Sequence, residues 1–186
     1  MIAIVHPLGP RTRTEIVDHL HSLSAEDRRL RFGVPAPDIM LQRYADSLDF
    51  DRDAVFGVRD DRGTLTGMTH VAPLPDGAEL GLSVRPSERG QGLAQAMFSR
   101  AILHARNRGW AELYMHCLAE NAAMMHIARK NGMRIVIDGP ERDAFLALPP
   151  ATPLSVGEEF YQGQLVLFDR TLRNVMRQAR LSTLAA

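Results

Sequence analysis

The chain of 186 residues holds one cysteine, Cys117. It can close no internal disulfide and offers no thiolate cluster for structural zinc. The histidines do not fill that gap. His19 and His21 are two apart on a predicted helix, so they point to different sides, and the remaining histidines have no ligand spacing. No apolar run approaches the roughly 18 residues that span a bilayer. The opening stretch Met1-Ile2-Ala3-Ile4-Val5-His6-Pro7 is too short and uncharged for a secretory signal. A charge excess is also missing, because 22 Lys and Arg balance 22 Asp and Glu. No global field draws nucleic acid or anionic membrane, and no basic, aromatic-bearing stretch offers a nucleic-acid surface. There are no repeats and no low-complexity segment. These absences lead to the expectation of a cytoplasmic protein with no metal, nucleic acid or membrane partner. At 45% hydrophobic and 24% charged residues, the length suffices for one domain with a real core.

Helical spacing of Ile16, Val17, Leu20 and Leu23 predicts a helix over 12–22. Ser24 caps a second through Arg31, with Asp27 completing a capping box. Pro37 opens a third, whose apolar face is Leu41, Tyr44, Ala45 and Leu48. Ala54–Arg59, Thr64–Ala72 and Ala78–Val84 alternate as strands around the Asp60–Gly63 and Pro73–Gly77 turns, and predict an antiparallel meander. The clearest helix follows, with Ala94, Met97, Phe98, Ala101, Ile102 and Ala105 on one face and Gly109 as its stop. Leu113–Cys117 reads as a strand, and Asn121 caps a helix to Asn131. Met133–Ile137 and Asp143–Leu148 read as strands. Pro149, Pro150 and Pro153 mark a linker, and a tail helix over roughly 158–181 carries Leu165, Phe168, Leu172, Val175, Met176 and Ala179 on one stripe. The expected division is a domain over 1–148 and a linker with an amphipathic helix over 149–186. The expected fold class is α/β (α+β), a mixed, mostly antiparallel sheet flanked by helices.

Chemistry concentrates between Val84 and Ala94. A strand ends, a polar turn holds Arg89, Gly90, Gln91 and Gly92, and a long helix begins. Glycines let backbone approach a ligand, and the first amides of a helix lack partners and carry the positive end of its dipole. Such a junction suits phosphate, and Arg89 adds a charge at its rim. A dinucleotide fingerprint is excluded, because Gly90-Gln91-Gly92-Leu93-Ala94-Gln95 lacks the third glycine, and there is no Gly-Lys-Ser/Thr.

The pattern Arg89-x-x-Gly92-x-Ala94 after a strand ending in Val84 resembles the pyrophosphate loop of the GCN5-related N-acetyltransferases (GNAT). Asn121 followed by Lys130-Asn131-Gly132-Met133 is similar to the cofactor-contacting Asn and helix ending of the same family. Leu23-Ser24-Ala25-Glu26-Asp27 leading to Arg31-Phe32, Ala78-Glu79 and Glu120-Asn121 to Met125 look closest to the Pat-type protein lysine acetyltransferases, over about 12–148. The resemblance implies a GNAT-like fold and acetyl-CoA as cosubstrate. It places cofactor contacts at Leu82, Val84, Arg89, Gly90, Gln91, Gly92, Leu93, Ala94 and Asn121. For Asn121 the capping oxygen would leave the amide nitrogen free.

The activity implied is direct acetyl transfer to a primary amine, on a protein lysine or a small molecule. A lysine-like amine is neutral in only about one molecule in 2,500 at pH 7, so a base has a task. Alternation puts Glu79, Gly81 and Ser83 on one strand face and Leu80, Leu82 and Val84 on the other. Glu79 matches the glutamate that Pat-type members use as base. Where many members carry a sulfur-protonating tyrosine, this chain has Ala128, with Tyr114, His116, Cys117 and His126 as conceivable stand-ins. The missing hydroxyl keeps a second reading open, an acyl-CoA-binding sensor without turnover. An acidic run at Asp46, Asp49, Asp51 and Asp53 reads as a cationic-acceptor rim or a solvated loop. The tail helix covers the sheet, forms a homodimer or docks a partner.

Overall fold

The meander forms as alternation predicts. In the computed structural model, which describes residues 3–184, β2 (Ala54–Arg59), β3 (Leu65–Leu74) and β4 (Gly77–Val84) pair antiparallel, after a two-residue β1 (His6–Pro7) that pairs with β2. β1 was not expected, being too short to show a period. β5 (Glu112–Leu118), β6 (Arg134–Asp138) and β7 (Glu141–Ala147) complete seven strands in the order β1-β2-β3-β4-β5-β7-β6. The last hairpin turns more tightly than expected, on Gly139 and Pro140 alone.

Helices cover both faces. α4 (Leu93–Asn107) and α5 (Ala122–Lys130) bury Met97, Phe98, Ala101, Met125 and Ala128 against Phe56, Val58, Leu80, Leu82 and Val84. α1 (Arg13–His21), α2 (Ala25–Phe32) and α3 (Asp38–Ser47) lie on the other face, where Ile16, Leu20, Leu41 and Ala45 pack on Val55, Leu65 and Met68. The neighbours Val55 and Phe56 fall in different clusters, as a period of two requires. Local chemistry sets the helix ends. Ser24 Oγ accepts from the Asp27 amide at 3.1 Å and donates to Asp27 Oδ2 at 2.8 Å, and Gly33, at φ 76°, ends α2.

α6 (Pro153–Leu184) is longer than expected. Pro153, assigned to the linker from sequence, is its first residue, where a missing N–H costs nothing. Thr152 and Ser155 exchange backbone and side-chain bonds at its start, at 2.9 and 3.1 Å. The side chain of Ala179 and all of Met1 and Ile2 lie outside the described residues.

Candidate active site

Among the described residues, β4 and β5 are the only parallel neighbours in the sheet, and they separate almost at once. Their pairing runs Gly77↔Glu112, Ala78↔Leu113 and Glu79↔Tyr114 and then stops, although β4 continues to Val84 and β5 to Leu118. Beyond Glu79 the two strands open a cleft inside the sheet. The helix after β4 starts at the far end of that cleft. The spacing of apolar residues does not reveal such a splay, because both strands keep their period of two.

Glu79 sits at the hinge. It is held on one side by Ala72 and on the other by Tyr114, and its side chain is exposed. The alternation holds, since Leu80, Leu82 and Val84 enter the core with α4, while Ser83 Oγ meets His19 Nε2 of α1 at 2.9 Å. Burial, reinforced by the Arg85 charge, pushes His19 down to about 4. Glu79 opens into a cavity of about 240 Å³, with Arg31, Tyr44, Leu82, His116, Cys117 and Asn121 among its walls.

In the sequence Arg31 figures only at the end of a helix and within the Pat-like phrase ending Arg31-Phe32, and Tyr44 only on the apolar face of α3. Arg31 lies flat on the strand, so close that a Cβ on Gly81 would stand 2.1 Å from its Nη2. Its Nη2 donates to Tyr44 Oη at 3.0 Å, and its guanidinium lies over the Phe32 and Tyr44 rings. Tyr44 Oη meets His70 Nδ1 at 3.0 Å, and His70 Nε2 lies 3.1 Å from Asp53 Oδ2. Burial raises Tyr44 above the usual phenol range and lowers His70, whose shift the Arg31 charge reinforces. Asp53, read from sequence as part of an acidic rim or loop, is buried beneath this chain. Burial would lift its carboxyl, but bonds from Arg52, the Asp49 amide and His70 hold it low. Asp46, Asp49 and Asp51 are exposed.

At the other end of the cleft, Gly90 and Gly92 have φ of 77° and 78°. A Cβ at either would meet no protein atom within 4 Å, so what selects glycine is the left-handed backbone, which places Gly92 as the N-cap of α4. No side chain caps that helix, which leaves the Leu93, Ala94 and Gln95 amides free of an intrahelical partner. Gln91 is exposed. Arg89 does not stand as an uncompensated charge: its Nη2 pairs with Asp27 Oδ1 at 2.7 Å, and it also donates to Val84 O at 3.3 Å. The pair clips α2 to the turn.

Asn121 caps α5, with Oδ1 accepting from Met124 N at 3.1 Å. Its amide nitrogen is only partly free, because Nδ2 donates one of its two N–H groups to Leu30 O at 3.2 Å. The expectation came from α5 alone, and α2 supplies the acceptor from 91 residues away. The Ala128 side chain is buried in the core. Of the stand-ins, Tyr114 Oη donates to Asp143 Oδ1 at 2.7 Å and His116 Nδ1 meets the same oxygen at 2.8 Å. Burial, helped by Asp143, raises the Tyr114 phenol, and burial raises the Cys117 thiol. His126 is exposed and does not line the cavity.

An elongated ligand with phosphates at one end and a reactive group at the other suits this cleft, as in enzymes that take acyl groups from a coenzyme A thioester. Residues 11–134 match the acetyltransferase (GNAT) domain family. The chain belongs to that family and is an N-acetyltransferase, and acetyl-CoA is the family's cosubstrate. Its fold is similar to the GNAT domain of PAT from S. lividans, at TM-score 0.68 and 18% identity over 80% of this chain and 95% of that one. It is also similar to the ribosomal-protein-S18-alanine N-acetyltransferase from Escherichia coli, at TM-score 0.58 and 19% identity over 81% and 95% of the two chains. A third similar structure is spermidine N-acetyltransferase from Vibrio cholerae in complex with CoA and spermine, at TM-score 0.61 and 16% identity over 78% and 95%. No helix among the described residues is long and apolar enough to cross a membrane.

Proposed function

We propose that this chain moves an acetyl group from acetyl-CoA directly to a primary amine, on a protein lysine or a small molecule, with Glu79 as general base. The observation that carries the proposal is the position of Glu79 at the last rung of the β4–β5 ladder, where the cleft begins and the cavity opens. The free amides of Leu93 and Ala94, with the turn Arg89–Gly92, would hold the pyrophosphate, and the β4 backbone at Leu82 and Val84 would line the pantetheine path. Acetyl-CoA supplies the activated thioester. Glu79 would take the ammonium proton, directly or through water; the neutral nitrogen then attacks the acetyl carbon, the carbon–sulfur bond breaks, and the proton shed by the acylated nitrogen neutralises the departing thiolate. Ala128 provides no acid, and a thiol with an ordinary pKa near 8.5 leaves with little help. Asn121, with one N–H committed to Leu30, would act through its second N–H or its second oxygen lone pair and by fixing the cavity wall.

The test is thiol release from acetyl-CoA with a panel of lysine peptides, polyamines and amino acids. Glu79→Gln should lower kcat at least about 100-fold at pH 7 while CoA binds as before. An unchanged kcat would remove Glu79 from the mechanism. A second reading, a sensor that binds acyl-CoA without turnover, rests on the buried Ala128. Tight CoA binding with no turnover on any amine would favour it.

A further inference from the structure

α6 attaches to its own domain the wrong way round. Successive residues step about 100° round a helix, so Ser155, Glu159, Gln162, Val166, Asp169 and Arg173 form one stripe. That stripe faces the domain and is mostly polar. Glu159 accepts from Arg100 Nη1 at 2.7 Å, Asn107 Nδ2 at 2.7 Å and His104 Nδ1 at 2.9 Å. Ser155 Oγ donates to Asn107 Oδ1 at 2.6 Å, His6 Nε2 lies 3.2 Å from Asp169 Oδ2, and Arg173 Nη1 donates to Asp60 O at 2.6 Å. Val166 is the apolar member of the stripe that is buried.

The apolar stripe lies about a third of a turn away, in solvent. Leu154, Tyr161, Phe168, Leu172, Val175 and Met176 are 42–82% exposed. At roughly 200 Å² per side chain they leave about 700 Å² of mostly apolar surface in water. That exceeds the roughly 300–600 Å² of the largest patch on a typical monomer and comes near the roughly 800 Å² each partner buries in a standard interface. Tyr161, Phe168 and Val175 recur every seven residues with Leu165 and Leu172 between them, the spacing of a helix–helix seam. Phe168 lies close to the middle of Pro153–Leu184.

We propose that α6 pairs antiparallel with α6 of a second copy, with Phe168 near the twofold axis and Tyr161 opposite the partner's Val175. The pairing is isologous and closes at two chains.

Sedimentation equilibrium on the full chain tests it. The expected mass at tens of micromolar is twice 20.7 kDa. Phe168→Glu should give a monomer, while thermal unfolding stays cooperative and CoA affinity stays within about twofold. Phe168→Cys should cross-link the dimer under mild oxidation, and Leu154→Cys, far from the axis, should not. A parent chain that is monomeric at 100 µM, whether or not it sediments with anionic vesicles, overturns the proposal. So does a dimer that survives Phe168→Glu. A dimer that Leu154→Cys cross-links and Phe168→Cys does not refutes the antiparallel register.

Discussion

Gly92 offers a way to separate folding from cofactor binding. Its φ of 78° costs an L residue about 1–2 kcal/mol, and a Cβ there would touch no protein atom within 4 Å. Gly92→Ala should therefore lose about 1–2 kcal/mol of stability, a fall in Tm of about 2–6 °C for a domain of this size, with the fold intact. Gly92→Glu adds to that strain a carboxylate at the free amides of Leu93 and Ala94. If it stands about 5 Å from a bound pyrophosphate, the repulsion is about 3 kcal/mol per charge pair at an effective dielectric of 20. Losing the helix-terminus attraction adds about 0.3–1 kcal/mol. At 1.4 kcal/mol per decade, the CoA dissociation constant should rise at least about 100-fold. Calorimetric titration with CoA beside a thermal melt reads both quantities. Gly92→Glu that unfolds cooperatively and binds CoA within threefold of the parent would refute the assignment of the phosphate site.

Asn121→Ala loses a helix cap and the buried bond to Leu30 O, and should cost about 2–3 kcal/mol by urea denaturation. Its CoA affinity should fall less than that of Gly92→Glu. His19 titrates near 4 in the fold against 6.5 when unfolded, so the unfolded chain binds more protons between those values. Its contribution, about 3 kcal/mol, is intact above pH 6.5 and lost as pH falls to 4, with His6 and His70 shifted in the same direction. His19→Gln should flatten that limb of the stability–pH curve. Glu159, held at about 2 by bonds from His104, Asn107 and Arg100 despite burial that would raise it, adds a second loss as pH falls from 4.5 toward 2. Glu159→Gln should lower stability by about 2 kcal/mol at pH 7, because Arg100 loses its carboxylate, and should abolish the second loss.

Local features were legible wherever one element sufficed to set them. The Ser24 cap, the alternation of β4 and the glycine-turned start of α4 all follow from a few neighbouring residues. The strand end, glycine turn and helix start of the proposed phosphate site are contiguous from Val84 to Ala94, so one stretch of sequence displays them together. What the sequence hid depends on distant partners. The Arg89 charge at the rim is paired by Asp27 of α2, and one N–H of Asn121 is taken by Leu30 of the same helix. Arg31 and Tyr44 are 13 residues apart and meet only when α2 and α3 fold over Gly81. The tail showed its stripe in the sequence but not its orientation, because polar residues fix α6 to the domain and the apolar ones face away. Helical spacing identifies faces and leaves open which of them the domain takes.

On the proposed mechanism, the β4–β5 splay lets the base at Glu79 and the phosphate turn after Val84 serve one ligand without competing for the same atoms. From Glu79 to Val84 the strand rises about 3.3 Å per residue, roughly 17 Å in all, so a long cofactor can lie along it with its ends apart. The hinge holds Glu79 between two paired neighbours, which fixes its backbone more firmly than a loop would. Two residues further along the same face, the Arg31 guanidinium lies on Gly81, with no carboxylate paired to it among the described residues. On the proposed mechanism an ammonium arriving at Glu79 therefore meets a carboxylate and an unpaired cation together. The carboxylate accepts the proton but by itself favours the charged amine; the cation disfavours the ammonium and so tips the balance toward the neutral nucleophile that transfer requires.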